Sequence, residues 1–262
     1  MKKTSMLVTE SSKLAEGIYS LTLQYGPEDL PEEVRPGQFA GIFPADGSML
    51  LMRPISICRY MKKERSLRFV YRAAGKGTRS FTGLLPGDRA DMLGILGNGY
   101  DTDLMAGKSV LLLGGGIGIP PMLELAEELS RLEGTRVTAA LGYRNSELFL
   151  KEEFEEFCSV LVATEDGSCG TKGNVLDAVR AAGVFADVIC ACGPMPMLRA
   201  VRAYADQAGA RCFISLEERM ACGVGACLGC VAPTVGKDAH SHVNNTRVCT
   251  EGPVFDAADI AL

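Results

Sequence analysis

Nine residues carry the densest chemistry in the chain: Cys222-Gly223-Val224-Gly225-Ala226-Cys227-Leu228-Gly229-Cys230. Their spacing is C-x4-C-x2-C, and Cys249 follows after 18 intervening residues. This matches the plant-type pattern for a [2Fe–2S] cluster, in which two irons need four thiolate sulfurs and three come from one tight loop. Glycines at 223, 225 and 229 let such a loop curl through positive φ, and they leave backbone N–H groups free to turn toward the sulfurs. A structural zinc site is the alternative. Zinc ligands generally arrive as two C-x2-C-like pairs, whereas here three cysteines crowd one loop and the fourth has no nearby partner. His240 and His242 lie in the gap before Cys249 and keep a histidine ligand open.

Two earlier segments have residue types suited to a phosphorylated ligand. In Arg53-Pro54-Ile55-Ser56, the arginine offers a planar fork for a pyrophosphate, and the serine can reach a bound ring. In Val70-Tyr71-Arg72-Ala73-Ala74-Gly75-Lys76-Gly77-Thr78, the glycines suit close approach of backbone to phosphate. Thr78 is expected to start a helix whose N-terminus faces an anion. Each alone is usually just a strand entry or a turn; their joint occurrence upstream of a dinucleotide motif gives them weight. That motif is Gly116-Ile117-Gly118-Ile119-Pro120-Pro121, entered from the apolar run Ser109–Leu113 and followed by a helical pattern at Met122, Leu123, Leu125, Ala126 and Leu129. Strand, glycine-rich turn and helix form the context a nucleotide fingerprint needs, although the spacing is Gly-x-Gly-x-x-Pro. Cys192-Gly193-Pro194 ends a later strand and forms a second candidate ligand edge, because open α/β sheets bind ligands at the carboxyl ends of their strands. The acidic residue that usually holds the ribose hydroxyls is missing. Arg144 stands near that point, so the residues leave NAD and NADP both open.

The elements that position these groups fall into three regions. Up to about residue 100, short strands at 6–9, 18–23, 39–43, 51–58, 67–71 and 89–93 alternate with turns at Arg35-Pro36-Gly37, Ala45-Asp46-Gly47 and Leu85-Pro86-Gly87-Asp88. That spacing predicts a small antiparallel barrel. Next come strands at 109–113, 135–142, 159–164 and 188–192, with helices at 122–129, 148–157, 175–182 and 197–207. This alternation predicts a Rossmann-like parallel sheet covered by helices. The expected division is 1–102 for the β-barrel, 103–210 for the α/β domain and 211–262 for a small cluster domain.

Bulk properties narrow the function. A formal net charge of −5 without a long basic run argues against a nucleic-acid partner. No apolar run reaches membrane-spanning length, and the N-terminus lacks the sustained apolar core of a signal peptide, so the chain is expected to be cytoplasmic. Six of the 10 cysteines lie outside the cluster pattern, scattered unlike a secreted disulfide framework.

This order of barrel, α/β domain and cluster segment resembles the ferredoxin–NADP reductase superfamily with a C-terminal iron–sulfur extension. Within it, the chain is similar to the electron-transfer subunits of NAD-dependent (type B) dihydroorotate dehydrogenases. The segment from Ser215 through Cys230 is the most specific part of the likeness. Asp166-Gly167-Ser168 and Arg247-Val248-Cys249 with Gly252-Pro253-Val254-Phe255 also carry it. The resemblance implies FAD at Arg53, Pro54, Ile55, Ser56, Val70, Tyr71, Arg72, Gly77 and Thr78. It implies a [2Fe–2S] cluster on Cys222, Cys227, Cys230 and Cys249, and NAD bordered by Gly116, Gly118, Cys192 and Gly193. It further implies a separate FMN-containing catalytic subunit that oxidises dihydroorotate, in a heterotetramer of two of each chain. Electrons would pass from that subunit through the cluster and FAD to NAD⁺. Related subunits of NAD(P)H–ferredoxin oxidoreductases and sulfhydrogenases share the same layout and form the nearest alternative.

Overall fold

Three hydrophobic cores, one inside a barrel and one on each face of a parallel sheet, organise the chain. The structure is a computed structural model describing residues 2–45, 48–239 and 242–262. The expected turn at Asp46-Gly47 and the candidate ligand His240 lie outside the described residues.

The barrel is formed by β1 (Lys3–Ala15), β2 (Ile18–Gln24), β3 (Phe39–Ile42), β4 (Arg53–Met61), β5 (Ser66–Arg72) and β6 (Arg89–Leu96). It closes in the order β1-β2-β5-β4-β3-β6, with antiparallel neighbours throughout. Alternating side chains such as Met6, Leu21, Leu23, Leu67, Phe69 and Met92 fill it and are fully buried. That alternation is the period-2 pattern of a strand with one apolar face. The short helix α1 (Lys76–Phe81) plugs its end with Phe81.

The second unit begins with β7 (Ser109–Gly115), which runs into a tight turn at Gly116–Gly118 and then α2 (Pro120–Ser130). There follow β8 (Arg136–Tyr143), α3 (Lys151–Glu155), β9 (Ser159–Thr164), β10 (Thr171–Lys172), α4 (Val175–Ala182), β11 (Val188–Cys192), α5 (Met195–Ala208) and β12 (Arg211–Ser215). The strands β7, β8, β9, β11 and β12 are parallel and near-continuously apolar, as a sheet covered on both faces requires. β13 (Val231–Pro233) and β14 (Asn245–Arg247) form a separate two-stranded ribbon around the cysteine segment. β15 (Val254–Asp256) then returns antiparallel to β12, giving the sheet order β10-β9-β8-β7-β11-β12-β15. The nucleotide-type sheet therefore extends past the expected boundary at residue 210. β12 belongs to it because Ile189, Cys190 and Ala191 of β11 pair in register with Cys212, Phe213 and Ile214.

Carboxylates clamp the barrel onto the sheet. The Tyr60 N–H donates to Glu124 Oε2 at 2.6 Å, Arg59 pairs with Glu127 at 2.6 Å, and Arg68 pairs with Glu153 at 2.6 Å. Burial pushes the Glu124 carboxyl up to about 7, against the lowering effect of the Tyr60 N–H. The core on the other face of the sheet is shared by all three regions: Phe39, Met52 and Leu96 of the barrel meet Ile189 and Ile214 of the sheet and Cys230, Val248 and Cys249 of the cysteine segment. Among the described residues, no helix is long and apolar enough to cross a membrane.

Candidate functional site

A cleft of about 430 Å³ opens where the barrel, the sheet and the cysteine segment meet. The barrel contributes Pro54, Ile55 and Ser56 from β4, and Val70, Tyr71 and Arg72 from β5. These two strands are neighbours in the barrel, so segments well separated in sequence present one continuous wall. Phe39, Ile117, Leu216, Glu217, Arg219 and Met220 form other parts of the lining, and the sequence did not mark them as wall residues. Glu217 is exposed at the cleft, where partial desolvation raises its carboxyl pKa and the Arg72 guanidinium pulls it back.

Two observations test this cleft for a flavin. The Tyr71 hydroxyl is buried yet has no hydrogen-bond partner among the described residues, and a buried orphan of this kind costs free energy unless a ligand satisfies it. Its ring is fixed by Tyr19, stacked at 6.0 Å, and by Phe81, edge-on at 5.6 Å. The second observation is Arg53. Its Nη1 donates to the Leu51 carbonyl at 2.7 Å and the Met52 carbonyl at 3.3 Å, which fixes the fork at the start of β4. A Cβ on Gly77 would stand 2.1 Å from Arg53 Nε, so the guanidinium lies directly on the Gly77 backbone. An anchored cation beside an apolar, aromatic cleft fits a ring system carrying a pyrophosphate.

Thr78 does not start α1. Gly75 is the N-cap, and the Thr78 hydroxyl reaches back to accept from the Gly75 N–H at 3.2 Å. Its hydroxyl is therefore engaged within its own turn. The dinucleotide-motif residues also split. The Gly116 Cα faces Arg72, whose Nη2 lies 3.4 Å from where a Cβ would be. Gly118 is packed against the end of β11, where a Cβ would fall 2.2 Å from the Cys192 carbonyl oxygen and 2.7 Å from the Gly193 nitrogen. Gly118, Cys192 and Gly193 thus come together as the sequence suggested, but by backbone packing. The Cys192 side chain is buried, its thiol pushed up by desolvation, and it does not line the cleft. Beyond β8, the Glu165 and Asp166 N–H groups donate to the Tyr143 and Arg144 carbonyls, placing two carboxylate residues beside Arg144 at the strand ends.

The cysteine loop begins two residues after Met220 of the cleft wall. Its thiols influence one another in two neighbouring pairs, Cys227 acting on Cys222 and Cys230 on Cys249. Backbone donors surround them: Val224 N–H to Cys222 Sγ at 3.4 Å, Gly229 N–H to Cys227 Sγ at 3.4 Å, and Gly225 N–H to Cys249 Sγ at 3.2 Å. Backbone donors, Val224 foremost and then Cys227 and Ala226, lower the Cys222 thiol to about 6, whereas burial raises Cys249 to about 11. Gly223 and Gly225 do adopt positive φ, at 70° and 78°. Gly229 does not; the exposed Leu228 takes the left-handed conformation instead, at 55°, which turns the next N–H onto Cys227. Two sulfurs per iron is what a two-iron cluster asks of its protein. Among the described residues, no three His, Cys, Asp or Glu side chains converge to hold a single metal ion.

Comparison with known proteins agrees with this geometry. Residues 217–261 match the iron–sulfur cluster binding domain of dihydroorotate dehydrogenase B, and residues 112–203 match the oxidoreductase NAD-binding domain. The electron transfer subunit of dihydroorotate dehydrogenase B (NAD(+)) from Listeria innocua serovar 6a is 40% identical, with 100% of both chains covered. The chain belongs to this family. The corresponding subunit from Bacillus caldolyticus is 43% identical over 98% of both chains. Among solved structures, an NADH-dependent reduced ferredoxin–NADP oxidoreductase is 26% identical with a TM-score of 0.85, covering 97% of this chain and 89% of its own. A flavohemoglobin from Malassezia yamatoensis shares the fold at 19% identity and a TM-score of 0.68, covering 80% of this chain and 58% of its own. Full-length identity thus favours the dihydroorotate dehydrogenase B family over the ferredoxin oxidoreductase alternative.

Proposed function

We propose that the chain is the electron-transfer subunit of an NAD-dependent dihydroorotate dehydrogenase, linking dihydroorotate oxidation in a partner subunit to NAD⁺ in pyrimidine biosynthesis. The observation that carries the proposal is one continuous segment: Leu216, Glu217, Arg219 and Met220 wall the cleft, and Cys222 follows as the first ligand of the cysteine loop. A cleft fitted to a flavin and a loop fitted to two irons are therefore separated by a single residue, Ala221.

The assignment of roles follows from the residues. Arg53, resting on Gly77 within the turn that Thr78 caps, holds the FAD pyrophosphate. Pro54, Ile55, Ser56, Val70, Tyr71 and Arg72 enclose its ring system, with the Tyr71 hydroxyl supplying an unspent hydrogen bond. Cys222, Cys227, Cys230 and Cys249 hold the [2Fe–2S] cluster. Gly116 borders the dinucleotide, and Gly118, Cys192 and Gly193 shape the turn beneath it. When bound, the cluster supplies one-electron steps, and the flavin exchanges single electrons as well as a hydride. The protein's own part is to orient these groups and to keep water from the cleft. Residues 1–102 serve FAD and the β7–β12 sheet serves NAD, with the segment from Leu216 to Pro253 carrying the cluster. The partner carries FMN, and the assembly is a heterotetramer in the cytoplasm, where thiols such as these stay reduced.

The test uses both subunits. The isolated chain is expected to oxidise NADH with artificial acceptors and to leave dihydroorotate untouched. Adding the catalytic subunit is expected to create dihydroorotate–NAD⁺ activity that neither chain has alone. Dihydroorotate oxidation by the isolated chain would overturn the two-subunit reading.

A further inference from the structure

The residues around Cys249 contain more fixed structure than a ligand loop needs. Arg247 Nε donates to both carboxylate oxygens of Glu251, at 3.1 and 2.9 Å, and Nη2 donates to the same carboxylate. The Arg247 backbone N–H also donates to Glu251 Oε2 at 2.7 Å. Its carbonyl accepts from the Thr250, Glu251 and Gly252 N–H groups at 3.2, 2.9 and 3.4 Å. This turn is tied to the barrel by Asn98. Its Nδ2 donates to the Thr250 carbonyl at 2.9 Å and the Glu251 carbonyl at 3.2 Å, and its N–H donates to the Gly252 carbonyl at 2.6 Å. The remaining guanidinium nitrogen turns to the cysteine loop: Nη1 donates to the Gly225 carbonyl at 3.4 Å. Gly225, at a φ of 78°, in turn donates its N–H to Cys249 Sγ at 3.2 Å.

We infer that Arg247 is a positioning residue for the cluster: locked by Glu251 and anchored through Asn98, it holds Gly225 so that the Gly225 N–H stays on the Cys249 sulfur, and this contact raises the cluster's reduction potential. The inference rests on the cluster assignment proposed above. Its physical basis is simple. One-electron reduction adds negative charge to the cluster, part of it on the sulfurs, and an N–H donor stabilises that charge. Gly225 is a hinge, since a residue without Cβ loses its left-handed conformation readily when released. Lysine keeps the charge of arginine but lacks the planar fork, so it cannot hold the carboxylate and the Gly225 carbonyl together.

The experiment is a redox titration of the full chain, loaded with FAD and cluster, followed by the electron paramagnetic resonance signal of the reduced cluster. Dithionite serves as reductant in the presence of mediators. Arg247→Lys and Arg247→Gln are both expected to lower the equilibrium constant for one-electron reduction about tenfold, which is about 59 mV. A normal potential in Arg247→Lys with a fall in Arg247→Gln would mean that charge alone acts, and would overturn the positioning role. Unchanged potentials in both would overturn it as well. If the Arg247 variants assemble no cluster, Asn98→Ala decides, because it leaves the Arg247 and Glu251 side chains in place and removes only the two Asn98 Nδ2 bonds that tie the turn to the barrel. A fall of about threefold is expected there, and no fall would overturn the inference. A wild-type chain with neither iron nor this signal would remove the cluster assignment itself, which separates the two failures.

Discussion

Replacing Gly77 with alanine should weaken FAD binding about as much as removing Arg53, although the substitution touches neither charge nor cleft lining. The new Cβ would lie 2.1 Å from Arg53 Nε and 2.6 Å from Cζ. Ordinary carbon contacts begin near 3.5 Å, so the guanidinium must retreat by about 1 Å or more. Its Nη1 is held by the Leu51 and Met52 carbonyls, so retreat breaks that anchorage and moves the fork off its phosphate. Arg53→Ala loses a charge-assisted pair, worth about 1.5–3 kcal/mol, or roughly tenfold to 150-fold in affinity. Gly77→Ala should approach that range through geometry alone, since a displacement of about 1 Å at a positioned group is costly. In the Arg53→Ala background the same substitution meets no guanidinium and should cost nothing; it should even stabilise α1 by up to about 1 kcal/mol. The assay is a double-mutant cycle on FAD affinity, measured by flavin fluorescence on refilling the apoprotein, with circular dichroism to confirm the fold. Additive losses in the double variant, or full FAD affinity in Gly77→Ala, would refute the reasoning.

Three further outcomes are expected. Cys227→Ser should abolish the paramagnetic signal of the reduced cluster while flavin absorbance remains, because a serine oxygen is a harder and less readily ionised ligand; a normal signal would mean another residue supplies that ligand. Leu228→Glu, at an exposed apolar position between two ligands, should reduce dihydroorotate–NAD⁺ activity with the catalytic subunit more than NADH oxidation by artificial acceptors; equal loss would indicate a damaged loop. For Glu124, the folded carboxyl sits at about 7 against an ordinary 4.5. The folded state therefore binds the extra proton between those values, and stability from this group is complete below about 4.5 and declines as pH rises toward 7, by roughly 3 kcal/mol. Glu124→Gln keeps an acceptor for the Tyr60 N–H and should lack that decline in urea midpoints followed by circular dichroism; parallel pH profiles would count against it.

Much of this was legible because the informative signals are local. The cysteine spacing, the β7–turn–α2 run and the bounds of α4 and β11 all depend on residues adjacent in sequence. What was not legible depends on neighbours far along the chain. β1 runs to Ala15 through Ser11, Ser12 and Lys13, which look like loop residues until β2 pairs with them. α3 spans only Lys151–Glu155 because Leu150 adopts a left-handed φ of 65° and the Phe149 carbonyl accepts from the Tyr143 hydroxyl. β12 falls beyond the expected boundary at residue 210 because nothing local announces its partner, β11. Phe39, Ile117 and Leu216 become cleft residues only once three regions meet. At Gly118 the absent side chain accommodates the Cys192 carbonyl, and a glycine needed for such packing leaves the same mark on a sequence as one needed for a nucleotide.

The return of β15 beside β12 has an architectural consequence. Ser215 pairs directly with Val254, so the chain leaves the sheet and re-enters it at adjacent positions. Everything between them is one insertion that leaves and re-enters the sheet at the same edge, and Asn98 ties its far end to the barrel. A chain in which a hairpin turn joined Ser215 straight to Val254 would still contain every strand of the sheet. It would lose one wall of the cleft with Leu216 to Met220, however, along with all four sulfurs. The sheet can thus be inherited with or without the insertion, whereas the cleft in its present shape cannot.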